Sequence, residues 1–566
     1  MDGTGSGEPP ADGAERVAEW AGRFGPRRRR VHELIGLLAE RDWTFAEIVG
    51  TTGVSRRTVE ELLAAAGSDV EQSGGRFRIR PERAGAYRAR FAPGSAGRGE
   101  PARTGDLPAA VRREVERLVG GAPRPRHTLD HVAATVDTVL RRARWLADSH
   151  HTPGLRLLCV GDHDLTALAG CLLSPQVEAA VVDLDEELLS YVDSQAQRLG
   201  LRISLYYADL RFGLPPDLTG WADVAFTDPP YTPDGVALFA RRAAQGLRNR
   251  AFGSIGIAYG YGEQVPTLGL KVQRALTDLG LVYEAILPEF NHYTGAQAIG
   301  SRSDLYVCRP TSRTWTVLDR PDRGGPHIYT RGPQAAEAPG PTLDRTVADA
   351  VVAAATGGGA VPLAALGGAG WPDGDDGARL ALAGLLTGGL PAAVARRDGA
   401  VAVNLADDPG PWLLRALLAV NAPRLALLVR NTHPDIGSQE RQRALTGLLA
   451  GRYRLRFVRS HPTSRHAIVE ATRVDPGGLD PAARLRRYLL DRSGGSVDTA
   501  WRDGLVALSR RHADQVLGTD EAHRVVQRHG GPAERLARRL ADLPRHQIAD
   551  LLTRASASTD ILRPRT

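Results

Sequence analysis

Apolar runs alternate with helix-spaced apolar positions through the middle of the chain. This alternation predicts a parallel, doubly wound α/β sheet, because each buried strand of such a sheet is followed by a helix. Two later runs predict a closing hairpin, which is typical of the Rossmann-like, methyltransferase-type fold. The predicted strands cover residues 155–160, 179–182, 203–207, 224–226 and 254–258, and the hairpin covers 282–287 and 305–308.

Upstream of the sheet, the pattern changes to short helices. It predicts a helix, a turn and a second helix over residues 44–63, followed by a two-stranded wing over residues 70–79. Residues 28–92 are therefore predicted to form an N-terminal winged-helix domain. This domain either binds DNA through Arg56 and Arg57 or serves packing and dimerisation, since a fold alone does not set function.

Downstream of the sheet, the chain predicts a further α/β and helical C-terminal region. Residues 401–409 resemble the strand that runs into Asp228, and later apolar runs repeat the order of the fifth strand, helix and closing hairpin. A degenerate half-copy of the first sheet is one interpretation. The predicted domains are a disordered tail (1–27), the winged-helix domain (28–92), a linker with helices (93–150), the catalytic Rossmann-like domain (151–312), a linker (313–345), the half-copy (346–475) and a helical region (476–566).

Composition narrows the function classes only slightly. The 566 residues include 72 basic and 65 acidic ones, but nearly all the basic residues are Arg, so the net charge of +7 supports a nucleic-acid partner only weakly. Cys159, Cys171 and Cys308 have no metal-ligand spacing, and no metal is predicted. The chain has no run of 18 apolar residues and no signal-peptide pattern, which predicts a cytoplasmic protein without membrane association.

Carboxylates follow four of the predicted strands. Ligands bind at the carboxyl ends of strands in open α/β sheets, so these side chains predict an acidic pocket for a cationic substrate. The alternative is that they cap the helices that follow, which Asp does well. The candidates are Gly161, Asp162, His163 and Asp164 after the first strand, Asp183 and Asp185 after the second, Asp209 after the third and Asp228 after the fourth.

The residue types suggest separate roles in such a pocket. Gly161 allows close approach of a ligand to the backbone. An acid after the second strand typically holds ribose hydroxyls, and Asp209 lies where methyltransferase-like folds often contact adenine.

The fourth strand leads into Asp228, Pro229, Pro230 and Tyr231. The prolines fix the loop so that the acid faces an amine and accepts its proton, while Tyr231 lies flat against the substrate. Further along the chain, Glu289, Asn291 and Tyr293 are candidates for a pocket wall, or else form an ordinary loop with an aromatic anchor.

Taken together, these motifs resemble the branched-chain polyamine synthases, the N4-bis(aminopropyl)spermidine synthase family, over roughly residues 28 to 310. The family signature Gly-Asp-Asp-Asp-Leu corresponds to residues 161–165, and its Asp-Pro-Pro motif begins at Asp228. The segments 129–131 with Thr135, 182–186, 208–211 and 290–293 match in order and spacing. The middle Asp of the signature is His163 here, which leaves the identity of the acceptor amine open.

The resemblance implies an aminopropyltransferase. Its co-substrate is decarboxylated S-adenosylmethionine, whose aminopropyl carbon is attacked by an amine of a spermidine-like polyamine, and methylthioadenosine leaves. Asp164 is the implied base, Asp162 and Asp228 would hold the polyamine, Asp183 or Asp185 the ribose, and Asp209 the adenine side. Family analogy also implies a homodimer.

Two other functions remain open from the residues alone. Asp-Pro-Pro-Tyr is a hallmark of S-adenosylmethionine-dependent enzymes that methylate base amines in nucleic acid. Against this reading, the first strand leads into carboxylates instead of a Gly-x-Gly loop, and an acidic pocket suits a phosphate backbone poorly. The third hypothesis is a non-catalytic, polyamine-sensing regulator that binds DNA through the winged helix.

Overall fold

The structure is a computed structural model and describes residues 12–91, 107–262, 264–296, 299–320, 328–330, 342–374, 376–512 and 516–562. The described residues form three β-sheets, of three, eight and six strands, each with its own helices. No helix among these residues is both long enough and apolar enough to cross a membrane. The predicted linker residues 92–106 and 331–341 lie outside the described residues, as do residues 1–11.

The N-terminal region consists of five helices and a small antiparallel sheet of order β1-β3-β2. Thr44 begins the first helix of the predicted helix–turn–helix with a capping box, and Ser55 caps the second helix. The elements are α1 (Gly13–Gly22), α2 (Arg28–Glu40), β1 (Trp43–Thr44), α3 (Phe45–Thr52), α4 (Arg56–Ala66), β2 (Val70–Ser73), β3 (Arg76–Ile79) and α5 (Pro81–Phe91).

Helix α1 lies in the stretch that was predicted to be a disordered tail. It forms because Val17 and Trp20 fall on one face and are buried in the N-terminal core. The Gly- and Ala-rich composition concealed this short apolar stripe. The expectation of a disordered tail is therefore wrong for residues 13–22.

The central region is a mixed α/β unit around a methyltransferase-like Rossmann sheet of order β4-β10-β11-β9-β8-β5-β6-β7. Strands β5 to β9 are parallel, and β11 lies antiparallel between β9 and β10. The elements are α6 (Ala109–Gly120), β4 (Ala133–Ala134), α7 (Val136–Ser149), β5 (Arg156–Val160), α8 (Thr166–Leu173), β6 (Glu178–Asp183), α9 (Glu186–Leu199), β7 (Ile203–Tyr207), β8 (Val224–Thr227), α10 (Pro233–Gly246), β9 (Ser254–Tyr259), α11 (Pro266–Asp278), β10 (Leu281–Thr294), β11 (Arg302–Pro310) and α12 (Ser312–Leu318).

Strand β10 is longer than the hairpin strand predicted at 282–287. After an irregularity between Leu287 and Asn291 it continues to Thr294, because Asn291 pairs with Ser303 and Tyr293 pairs with Ala134. The segment that was expected to be a loop is therefore part of the sheet. This extension carries Tyr293 towards the carboxyl ends of the parallel strands.

The C-terminal region contains the third sheet, of order β13-β12-β14-β15-β17-β16, followed by helices. Strands β12 to β15 are parallel, and β17 is antiparallel to both of its neighbours. The elements are α13 (Arg345–Thr356), β12 (Leu363–Gly367), β13 (Ala378–Leu380), α14 (Leu382–Gly388), α15 (Ala392–Ala395), β14 (Ala400–Asn404), α16 (Trp412–Ala419), β15 (Arg424–Arg430), α17 (Gln439–Leu448), β16 (Tyr453–Arg459), β17 (His466–Arg473), α18 (Pro481–Asp491), α19 (Val497–His512), α20 (Thr519–Gly530), α21 (Ala533–Ala537) and α22 (Arg545–Ser558).

The strand order of this third sheet matches β6-β5-β8-β9-β11-β10 of the central sheet, strand for strand along the chain. The central sheet has two additional strands, β4 at one edge and β7 at the other. The interpretation of the third sheet as a degenerate half-copy stays a prediction, since a shared strand order is also reached by unrelated chains.

The C-terminal region packs against the β7 edge of the central sheet. Arg538 donates to the carbonyl of Leu205 over 2.8 Å, which occupies an acceptor that an edge strand leaves free. The guanidinium of Arg415 lies 3.6 Å from the ring centre of Tyr207. The two α/β units are therefore in direct contact beside the strand that leads to Asp209.

Candidate active site

A cavity of about 760 Å³ lies at the carboxyl ends of the parallel strands of the central sheet. It is formed mainly by the loops that follow β5, β6, β7 and β8, together with the end of β10. Of the residues predicted from the sequence, ten line it: Gly161, Asp162, His163, Asp164, Asp183, Asp209, Asp228, Pro229, Tyr231 and Tyr293. Asp185, Glu289 and Asn291 do not.

Gly161 makes the turn from β5 into this cavity. Its φ of 71° lies in the left-handed region, which favours glycine. A Cβ atom here would also lie 3.3 Å from the ring of Phe239. Both facts account for glycine at this position.

Arg142, which the sequence reasoning missed, is the central cation of the site. It projects from α7, is completely buried, and contacts Asp164 over 2.8 Å and Asp228 over 2.6 Å. Its Nε donates to Asn291 over 2.8 Å. The available signal was a charged residue within the apolar stripe of an amphipathic helix, where Val139, Ala143 and Leu146 are buried. A buried arginine there needs carboxylate partners.

Asp228 and Asp164 thus share one counter-charge. The hydroxyls of Tyr231 and Tyr293 donate to Asp228 over 3.0 and 2.7 Å, and Asp164 accepts from the amide of Ala134 over 2.9 Å. Burial raises the pKa of Asp228 to about 7; Arg142 opposes this shift and the charge of Asp164 adds to it. Asp228 therefore has the proton affinity that a base needs near neutral pH.

Asp162 combines a cavity-lining position with helix capping. Its carboxylate accepts from the amides of Thr166 and Ala167 over 2.7 and 3.0 Å at the start of α8. Burial nevertheless raises the pKa of Asp162 to about 8. The capping alternative thus holds for this residue without removing it from the cavity.

The acids after β6 divide into two roles. Asp183 lines the cavity and accepts from the amides of Asp162 and Asp185 over 3.1 and 2.8 Å. Burial, with the neighbouring charge of Asp185, raises the pKa of Asp183 to about 6. Asp185 itself caps α9 by accepting from the amide of Glu187 over 3.0 Å. Of the two predicted ribose ligands, only Asp183 faces the cavity.

His163 stacks on His131, which also lines the cavity, with ring centres 4.3 Å apart. Burial lowers the pKa of both imidazoles, so both are neutral at neutral pH. The substitution in the acidic motif therefore removes a negative charge without adding a positive one. The Nδ1 atoms of both rings are buried without a hydrogen-bond partner.

Asp209 is held by four donors. Arg211 contributes its amide over 3.0 Å, Nε over 2.8 Å and a second guanidinium nitrogen, and the indole Nε1 of Trp412 donates over 2.9 Å. Trp412 belongs to the C-terminal region, more than 200 positions further along the chain. This contact could not be read from local sequence.

The remaining two candidates lie away from the cavity. Glu289 is exposed at the surface and pairs with Arg302. Asn291 is buried, accepts from Arg142, and donates to Ser303 over 3.1 Å. Asn291 therefore orients Arg142 instead of forming a wall.

Open α/β sheets bind their ligands outside the carboxyl ends of their strands, which is where this cavity lies. Residues 110–318 match the family described as Branched-chain polyamine synthase A C-terminal domain. The resemblance to the branched-chain polyamine synthases is thus confirmed, and this segment of the chain belongs to that family. The match does not include residues 28–109, which the resemblance was expected to cover.

Curated relatives are similar to this chain over about a third of its length. An uncharacterized protein of Methanocaldococcus jannaschii is 39% identical over 175 residues, which are 31% of this chain and 44% of that protein. The N(4)-bis(aminopropyl)spermidine synthase of the same organism is 29% identical over 181 residues, 31% of this chain and 51% of the relative. The chain thus spans about half the length of these relatives.

Among solved structures, the branched-chain polyamine synthase of Thermus thermophilus in complex with N4-aminopropylspermidine and 5′-methylthioadenosine is similar in fold. It is 21% identical, with a TM-score of 0.34, and the match covers 53% of this chain and 92% of that one.

Proposed function

We propose that the chain is an aminopropyltransferase that moves an aminopropyl group from decarboxylated S-adenosylmethionine to an amine of a spermidine-like polyamine. The observation that carries the proposal is the set of carboxylates from four successive strand ends, which line one cavity inside the family-matched segment. A polyamine is a flexible polycation, and such a cavity attracts it and holds its ammonium groups. The curated relatives named as N(4)-bis(aminopropyl)spermidine synthases support the same reaction.

In the proposed reaction, the lone pair of the acceptor nitrogen attacks the aminopropyl carbon beside the donor's sulfonium. The new C–N bond forms as the C–S bond breaks, and sulfur keeps the bonding electrons, so neutral methylthioadenosine leaves. The nitrogen's proton passes to a carboxylate of the cavity. A carboxylate beside the amine lowers the barrier by orienting the nitrogen and accepting this proton.

We assign the base to Asp164, as the family motif implies, and the polyamine cation to Asp162 and Asp228. Both oxygens of Asp164 already accept one bond, from Arg142 and Ala134, but each keeps a second lone pair for an amine. Asp228 is the alternative base, because its raised pKa of about 7 suits proton transfer at neutral pH. Tyr231 donates to one oxygen of Asp228 and Tyr293 to the other, which orients the carboxylate.

For the donor, we assign the ribose to Asp183 and the adenine side to the wall that contains Asp209. Asp183 lies at the end of β6 and faces the cavity, next to the turn at Gly161. In sheets of this kind, an acid at this position holds ribose hydroxyls.

The DNA-dependent alternatives gain no support from α4, the helix that would enter the major groove of DNA if residues 28–92 act as a winged helix. Arg56 and Arg57 are exposed, but each pairs with a glutamate on the same face, Glu60 and Glu61. Phosphate binding requires a cationic surface, and alternating charges do not provide one.

The first test is a mass-spectrometric assay of the purified chain with decarboxylated S-adenosylmethionine or S-adenosylmethionine and a panel of diamines, spermidine and spermine. Methylthioadenosine together with a product heavier by one aminopropyl unit would support the proposal and name the acceptor. Methyl transfer, or no product with any amine, would contradict it and lead to DNA as the next sample.

A further inference from the structure

One end of the cavity is built partly from residues outside the family-matched segment 110–318. We call it the Asp209 end, defined by Asp209, Leu210, Ile328, Tyr329 and Thr330, which all line the cavity. Residues 328–330 follow that segment in the chain, and the support behind Asp209 comes from the C-terminal region. This end of the cavity therefore depends on residues that lie beyond the matched segment.

Residues 328–330 are anchored to the cavity at both ends. The hydroxyl of Thr232 donates to the carbonyl of Ile328 over 2.7 Å, and the amide of Thr330 donates to Asp130 over 2.7 Å. Between these anchors the side chain of Tyr329 is buried, with its ring centre 5.5 Å from the guanidinium of Arg211. The segment thus presents a fixed aromatic wall.

Behind this wall, Trp412 completes the surroundings of the Asp209–Arg211 ion pair. Its indole donates to Asp209 over 2.9 Å, and its ring centre lies 5.0 Å from the guanidinium of Arg211. The ion pair is buried, so its orientation depends on the donors and rings that surround it. Removal of one donor would allow the carboxylate to rotate.

Trp412 is itself held rigidly at the first position of α16. Asp408 accepts from the amides of Gly410, Trp412 and Leu413 over 2.7, 2.9 and 2.7 Å. The neighbouring carbonyl of Pro409 accepts from Arg126 of the central unit. The backbone at Trp412 is therefore held both by the cap at Asp408 and by the contact of Arg126 with the loop.

We propose that Trp412 is a positioning residue through which the C-terminal region sets affinity for the nucleoside part of the donor. It fixes the Asp209–Arg211 pair, and Asp209 together with Tyr329 forms the wall against which the adenine packs. This inference rests on the proposed function, because that function places the adenine at the Asp209 end. The amine subsite around Asp164 and Asp228 makes no contact with Trp412, so it is unaffected.

The test compares Trp412→Phe with the wild-type chain. Phenylalanine keeps an aromatic ring and removes the N–H donor. Two quantities are measured: calorimetric binding of 5′-methylthioadenosine, and the separate KM values for decarboxylated S-adenosylmethionine and for the amine. We expect the dissociation constant and the donor KM to rise about tenfold, as for loss of one hydrogen bond to a charged group. The kcat and the amine KM should stay at their wild-type values.

The matched control is His546→Ala at the same interface. His546 contacts Asp193 over 2.6 Å, and neither residue lines the cavity. Donor binding should be unchanged in this variant, and thermal unfolding verifies that both variants fold. A similar weakening in His546→Ala would overturn the role of Trp412, because it would reflect docking of the C-terminal region in general.

The two proposals fail in different ways. Unchanged or tighter binding of methylthioadenosine in Trp412→Phe overturns the inference alone. A wild-type chain that binds methylthioadenosine but transfers no aminopropyl group overturns the proposed function alone, and the binding comparison still tests Trp412. A wild-type chain that does not bind methylthioadenosine overturns both.

Discussion

An Asp-Pro pair follows a strand in each of the two larger sheets, but the partners of the aspartate differ between the two. Strands β8 and β14 occupy the same place in the strand order, and Asp228-Pro229 follows the first while Asp408-Pro409 follows the second. Asp228 faces a cavity and is bound by side chains alone, from Arg142, Tyr231 and Tyr293. Asp408 is enclosed, binds three backbone amides of its own loop and contacts His433 over 3.0 Å.

The difference shows what decides whether an acid after a strand serves chemistry or structure. Three backbone amides and His433 together bind the two oxygens of Asp408, which fixes this acid at the start of its helix and away from the cavity. Asp228 is bound by side chains instead, and its carboxylate faces the cavity. Burial and the charge of Asp164 raise its pKa. The same dipeptide therefore lies at a cavity in one sheet and at the start of a helix in the other.

The sharpest test is the pair Asp164→Asn and Asp408→Asn. If Asp164 is the base, its variant should lose about 10²- to 10⁴-fold in kcat, because proton acceptance is lost, while unfolding remains close to wild type. Asp408→Asn should instead lose about 1–2 kcal/mol of stability, as for a lost helix cap, and keep its kcat at saturating donor. Steady-state kinetics and urea unfolding measure both quantities.

Undiminished turnover in Asp164→Asn would end the base assignment, and Asp228→Asn would then be the decisive variant. Loss of kcat in Asp408→Asn would contradict the division between chemical and structural acids.

The next prediction concerns Arg142, the buried cation that pairs with Asp164 and Asp228. Arg142→Met leaves Asp164 and Asp228 buried without their cation, and we expect a loss of about 3–5 kcal/mol in the free energy of unfolding. Because the uncompensated carboxylates would bind protons more tightly when folded, this loss should shrink as the pH falls. A loss that is independent of pH would mean that packing of the arginine stem, not charge, is what matters.

The pH dependence of wild-type stability provides a weaker test. Burial raises the pKa of Asp162 to about 8 and of Asp183 to about 6, above the ordinary value of 3.8 for an aspartate. A folded state that holds these protons more tightly binds more protons than the unfolded state, so stability should fall as the pH rises from about 4 to 8.

Asp162→Asn should flatten this decline by up to about 1.4 kcal/mol per pH unit, as expected for one titrating group. Denaturation at several pH values measures the slope. An identical slope in the variant would show that the amides at the start of α8 already keep Asp162 ionised. Asp162 would then be a structural helix cap, like Asp408.

The smallest expected effect is that of His163→Asp, which restores the acid of the family signature. Since the imidazole is neutral at neutral pH, the change adds one negative charge to the cavity, and we expect a severalfold tighter binding of spermidine. Weaker or unchanged binding would mean that His163 suits a different acceptor amine. Calorimetry with spermidine and a diamine distinguishes these outcomes.

Local sequence was sufficient to predict the parallel strands of the central sheet and the acids at their ends. Apolar runs can only be buried strands here, and parallel strands bring their carboxyl ends to one edge, so Asp162, Asp164, Asp183 and Asp228 had to converge. The same reasoning left Asp183 and Asp185 equivalent, because a period of two residues does not tell which carboxylate a helix start will capture.

Tertiary structure alone decided the partners of these acids. Arg142 meets Asp164 and Asp228 from a helix that precedes the sheet, and Trp412 meets Asp209 from the other end of the chain. Such contacts join residues that are far apart in sequence, and no spacing rule encodes them. The sequence by itself determined where the acids would gather; packing determined which partner each acid has and which acids face the cavity, because those contacts join distant parts of the chain.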